Sequence, residues 1–140
     1  MNTYTSHPAG ELWARPEGYL HLIWGPGSQD SQAAQALFDE VVCLLQVTGY
    51  RKLLTDQRLR APATKEYLGW LLVDWLPRVG IGRLLAQVAI VAAKPLELRL
   101  QVGDICTEGQ QRYGILTYFF ATTEEASRWL QQPELLMPST

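Results

Sequence analysis

Two cysteines and two histidines are all that 140 residues offer a soft metal ion. Cys43 and Cys106 stand far apart, neither belongs to a CxxC pair, and only His7 and His21 can join them, so the reading is two buried or half-buried thiols and no metal site. Charge is just as sparse. Against 14 Asp and Glu stand 12 Lys and Arg, with no run of one sign that could follow a phosphate backbone, which removes nucleic acid from the expected partners. No stretch approaches the roughly 18 apolar residues of a membrane span. Residues Met1 to Pro8 lack the basic region and apolar run of a secretory leader, so a cytoplasmic setting is expected. There is no Gly-x-Ser-x-Gly elbow, no GxGxxG and no Gly-Lys-Ser/Thr ending to a phosphate loop, and no cofactor is expected.

What remains is apolar. Hydrophobic residues make up 47% of the chain, enough to bury one core without staples at this length. A single domain is expected over residues 11–132, with a flexible tail at 1–10 and another at 133–140. Residues 11–16 and 19–24 are short apolar or alternating segments separated by Glu17-Gly18, which predicts a hairpin with Trp13, Leu20, Leu22 and Trp24 available to pack. Gly25-Pro26-Gly27 ends it. Ser28, Asp30 or Ser31 can then cap a helix carrying Ala34, Leu37, Phe38, Val41 and Leu45 at three- and four-residue intervals. Gly49 closes that helix, and residues 51–56 read as a strand ending in Asp56.

Thr64 is the expected cap of a second helix, which carries Tyr67, Leu68, Leu71, Leu72 and Trp75 on adjoining positions until Pro77 kinks or stops it. Residues 84–93 form the longest apolar strand candidate, as suits a central parallel strand covered on both faces. A weaker helix follows from Lys94-Pro95 to about Gln110, although Gly103 and Gly109 let residues 103–112 read equally as an irregular loop. The last strand lies within residues 113–121. Thr122 and Glu125 have the spacing of a capping box before a closing helix. The order β-β-α-β-α-β-α-β-α predicts an α/β fold with a mostly parallel five-stranded sheet and helices covering both sides.

Together with Leu54-Thr55-Asp56 at a strand end, Trp75-Leu76-Pro77 closing a helix, and the segment from Tyr118 to Trp129, this order resembles the bacterial STAS/SEC14 domain-containing proteins, also described as SpoIIAA-like. The likeness runs over residues 11–131. It implies a small non-enzymatic module that binds a partner protein. In the classical members of that family a serine just after the third strand is phosphorylated as a switch, whereas here Gln57 and Arg58 follow Asp56, so the switch does not carry over.

Five residues stand out as candidates for binding. Asp56 and Arg58 end a parallel strand, the place where open α/β sheets gather ligands, with Arg60 close behind. Asp74 lies among Leu71, Leu72, Val73, Trp75 and Leu76, where a carboxylate must be paired, protonated or turned to solvent, and Arg78 is one helical turn away. Trp70 and Trp75 offer more aromatic area than one face of a short helix needs. The leading expectation is a STAS-like interaction module, self-associating or meeting a partner protein through the second helix and residues 57–63. The alternative is a binder of a small apolar, lipid-like ligand, with a cleft bounded by Trp70, Trp75, Asp56 and Arg58. A third is an enzyme using Asp74 or Asp56 as acid or base.

Overall fold

Alternating apolar residues build the sheet and caps set the helices, in an order close to the one expected. The structure is a computed structural model that describes residues 3–26, 30–92, 94 and 96–132. Six strands form one sheet in sequential order: β1 (Thr3–His7), β2 (Gly10–Arg15), β3 (Tyr19–Trp24), β4 (Lys52–Asp56), β5 (Gln87–Val91) and β6 (Leu116–Phe120). The first three are antiparallel, and β3 to β6 are parallel. The sheet is therefore mixed and six-stranded, where a five-stranded one was expected. The difference is β1: Thr3–His7, read as tail, pairs with β2 from His7–Gly10 to Thr3–Ala14. An edge strand needs only a neighbour's backbone, so its polar sequence gives no apolar alternation to read. The C-terminal tail lies outside the described residues.

The helices are α1 (Ser31–Thr48), α2 (Lys65–Trp70), α3 (Leu76–Ile81), α4 (Leu96–Tyr113) and α5 (Thr123–Gln131). Asp30 caps α1 by accepting from the backbone N–H groups of Gln32 and Ala33, and Gly49 closes it at φ 74°, donating to the Leu45 carbonyl. That left-handed turn is open to glycine without the steric cost a Cβ brings. Ser28, the other cap considered upstream, lies outside the described residues. Thr64 and Thr122 cap α2 and α5 as expected, each accepting from the N–H three residues on.

Between α2 and α3 the chain makes a π-helical turn over Leu71–Trp75, in which the Leu76 N–H reaches the Leu71 carbonyl five residues back. Pro77 sits in the first turn of α3, where its missing N–H costs little, so the helix runs on to Ile81 instead of stopping. The wide turn has a second effect. In a regular helix residues five apart are about 140° around the axis, yet Trp70 and Trp75 both lie against the Phe38 ring, with centroids 6.3 and 4.7 Å away.

Each right-handed crossover steps to the next strand in the same direction, so α1, α2, α3 and α4 all fall on one face. On that face Leu12, Leu20, Leu22, Trp24 and Leu53 meet Leu37, Phe38 and Val41 of α1, together with Tyr67, Leu71, Trp75 and Val79. Alternation puts the intervening residues on the other face, where Tyr19, Leu54, Ala89 and Val91 are covered by Ala126 and Leu130 of α5. That one helix spans β4 to β6 and reaches Tyr19 at the start of β3, leaving β1, β2 and the rest of β3 on the second face without a helical cover among the described residues. The α4 helix is continuous through residues 103–112, which resolves the two readings of that stretch in favour of helix.

Candidate functional site

On the helical face, the sheet and the α3–α4 pair do not close completely. A cavity of about 70 Å³ remains between them, lined by Leu53, Val88 and Ile90 from the sheet and by Leu71, Trp75 and Leu76 from the π turn and α3. Val102, Ile105, Cys106 and Gly109 of α4 form the far wall. Gly109 is itself part of the reason for the space. A side chain there would project toward Leu76 and Ile115, so its absence thins the wall where α4 crosses α3.

One end of the cavity is polar, at the C-terminal end of β4. Thr55, Gln57 and Arg60 line it, and strand alternation is what sends residues 55 and 57 to the same face. Thr55 Oγ1 accepts from the Trp24 indole N–H at 3.0 Å, which leaves its own O–H free to donate. The buried amide of Gln57 makes no side-chain hydrogen bond among the described residues. Arg60 is 6% exposed. Its guanidinium lies 4.7 Å from the Trp24 ring centroid, 5.5 Å from that of Phe38 and 6.0 Å from that of Tyr67. Its single hydrogen bond among the described residues goes to the Tyr67 hydroxyl at 3.5 Å, and no carboxylate there forms an ion pair with it. Burial raises the Tyr67 phenol above its usual range, partly opposed by Arg60, so the hydroxyl stays protonated.

Opposite this pole lies Cys106. Burial pushes its thiol up to about 11, against smaller opposing effects from Thr117 and Arg60. It is a neutral thiol near pH 7 and a poor nucleophile.

The five sequence candidates separate into two places. Trp75 lines the cavity, buried, with its indole N–H donating to the Phe38 carbonyl at 2.8 Å. Trp70 is half-buried one layer further out, packed on Phe38 and Tyr67 and under the Arg78 guanidinium. It is not surplus aromatic area. Asp74 is turned to solvent and pairs with Arg78 at 3.0 Å, while Arg78 also holds Asp39 at 2.5 Å. Asp56 and Arg58 are on the opposite face of the sheet, so the cleft is bounded by Gln57 and Arg60 where Asp56 and Arg58 were expected. Burial alone would raise the Asp56 carboxyl, but the Arg58 side chain and backbone N–H hold it below its ordinary range, with bonds of 2.9 and 2.6 Å from the guanidinium. Neither aspartate is placed as an acid or base: one is solvated and the other is locked as a carboxylate.

The second face carries an open crevice of about 560 Å³ beside α5, lined among others by Arg15, Tyr19, His21, Ser127 and Arg128. Its polar groups are largely committed to each other. The Tyr19 and Ser127 hydroxyls share a 2.8 Å hydrogen bond, and Arg15 donates to His21 Nδ1 at 2.9 and 3.2 Å. Burial first, then the Arg15 charge, lowers His21 to about 4, so it is neutral near pH 7. Its Nε2 is buried with no partner among the described residues. The described residues hold no group of three or more His, Cys, Asp or Glu able to seat a metal, and no helix among them is long and apolar enough to cross a membrane.

Thr55, Gln57 and Cys106 are site residues that the sequence did not single out. Period-two alternation from Leu53 was the available signal for the first two. The burial of Arg60 was not available, because its cage comes from Trp24, Phe38 and Tyr67 on three different elements. Comparison of the chain with protein-family models, with curated proteins and with solved structures finds no match.

Proposed function

We propose that this chain is a non-enzymatic, STAS-like α/β module that holds a small apolar molecule between α3, α4 and the sheet. The cavity beneath the π turn supports this reading above all. Core side chains normally interdigitate with few voids larger than a water molecule, whereas this space of about 70 Å³ runs along the sheet and reaches, at its polar end, the carboxyl end of β4, where α/β sheets gather ligands. The π turn itself belongs to the argument, since such turns interrupt a regular helix at a cost and concentrate at functional sites. A native mass spectrum of gently purified protein tests the reading. A small non-covalent mass is the expected result; a bare polypeptide that also takes up no added isovaleramide would remove it.

A second reading, an interaction module that self-associates, is favoured by one observation. Strand β6 is the last of the sheet, and its outer edge is unpaired among the described residues. Residues 115–121 carry no charge and no proline, and Tyr118 and Phe119 are 51% and 49% exposed. Edges of this kind pair with other strands unless something blocks them. Light scattering is expected to show a dimer that Phe119→Lys converts to monomer; a wild-type monomer at high concentration would count against it.

A further inference from the structure

The apolar cavity ends on a charge without a counterion among the described residues. Taking a guanidinium out of water costs several kcal/mol in real proteins, and buried charges are accordingly paired or hydrogen-bonded. Arg60 is buried, yet it has three aromatic rings and one long hydrogen bond to set against that cost. Cation–π contacts offset part of it. They engage the cation through ring faces and leave the N–H fork largely unused. A guanidinium fork matches one group best, a planar carboxylate or a phosphate accepting two parallel hydrogen bonds.

The rest of the lining chooses between these. Among the described residues Arg60 is the one charged residue that lines the cavity, so it neutralises one negative charge and not the two of a phosphate monoester. Beside it stand two neutral groups with donors to spare, the Thr55 hydroxyl and the Gln57 amide. Beyond them the wall is aliphatic and aromatic apart from the Cys106 thiol and Thr117. A volume of about 70 Å³ is several times the roughly 10–15 Å³ that one water needs on this measure, so the tail it admits is a few carbons long.

We infer that the ligand is a short aliphatic carboxylate, its head group paired with Arg60 beside Thr55 and Gln57, its tail lying between Trp75, Val102 and Gly109. This rests on the ligand-binding reading given above and names the chemical class that reading leaves open. The three rings hold the guanidinium in place before the ligand arrives, so little ordering remains to oppose the pairing.

The test uses two isosteric probes, isovalerate and neutral isovaleramide. Each is titrated into the full chain while the indole N–H resonances of Trp24 and Trp75 are followed by heteronuclear NMR. The acid is expected to bind at least about tenfold more tightly than the amide. Arg60→Met is expected to erase that preference. The inference is overturned if wild type binds the amide as tightly as the acid, which leaves the ligand-binding reading standing. It is also overturned if Arg60→Met still prefers the acid. If neither probe moves either indole in wild type, both readings fall. The wild-type comparison needs no variant, so the result holds even if Arg60→Met does not fold.

Discussion

His21 and Arg60 are both buried ionisable groups, and they are handled in opposite ways. His21 gives up its charge: burial and the neighbouring Arg15 hold it neutral down to about pH 4. Arg60 cannot give up its charge, because a guanidinium stays protonated at any accessible pH, so the fold surrounds it with rings. The His21 case has a measurable consequence. Its folded pKa is depressed below the unfolded value of about 6.5, so the unfolded chain binds more protons in between. Stability from this residue is therefore full above pH 6.5 and falls as pH drops toward about 4. The loss is of order 3 kcal/mol at most. Urea denaturation of wild type and His21→Phe across that range checks it: wild type is expected to weaken with falling pH and the variant to show a flatter profile. Asp56, whose carboxyl is also depressed, loses its contribution only at lower pH, so the two effects separate.

The caps were legible in the sequence because capping is local: Asp30, Thr64 and Thr122 each act on N–H groups two or three residues away. The π turn was not, because its cause is long-range. Pro77 reads as a stop, and only the pull of Phe38 on both Trp70 and Trp75 makes one wider turn preferable to an end. A deletion isolates this. Removing Val73, which is 79% exposed, returns the segment to regular α-helical spacing. Trp70 and Trp75 then stand four apart, about 40° around a regular helix, so the buried face is kept while Pro77 falls inside regular helix. Deleting Val73 is expected to cost about 3 kcal/mol in chemical denaturation, because the proline ring then meets the carbonyl four residues back. Val73→Ala, which keeps the turn, is expected to change stability by less than about 0.5 kcal/mol. Equal effects from the two changes would mean that the π turn does nothing to accommodate Pro77.

For the molecule as a whole, the α/β class and most of the element order follow from residues such as Leu20, Leu22 and Trp24, whose spacing reports the face they bury. The position of the site does not follow in that way. The sequence offered Asp56, Arg58, Trp70 and Trp75 as the bounds of one cleft, and the sheet separates them, since residues 55 and 56 of one strand point to opposite sides. The cavity appears where the two sets nearly meet through the sheet, with Gln57 and Arg60 at its head and Trp75 at its side. Its walls come from β4, β5, α3 and α4, joined by two crossovers, so its existence depends on how the layers pack and not on any local motif. The singly wound order also explains why one face is crowded with helices while the other carries only α5. The measurement closest to the central claim is the titration of wild-type protein with isovaleramide, read at the Trp75 indole N–H. A saturable shift at Trp75, with Trp13 and Trp129 on the other face unmoved, is expected if the space between α3, α4 and the sheet is a binding site; a spectrum unchanged to millimolar probe would mean that it is only an imperfection of packing.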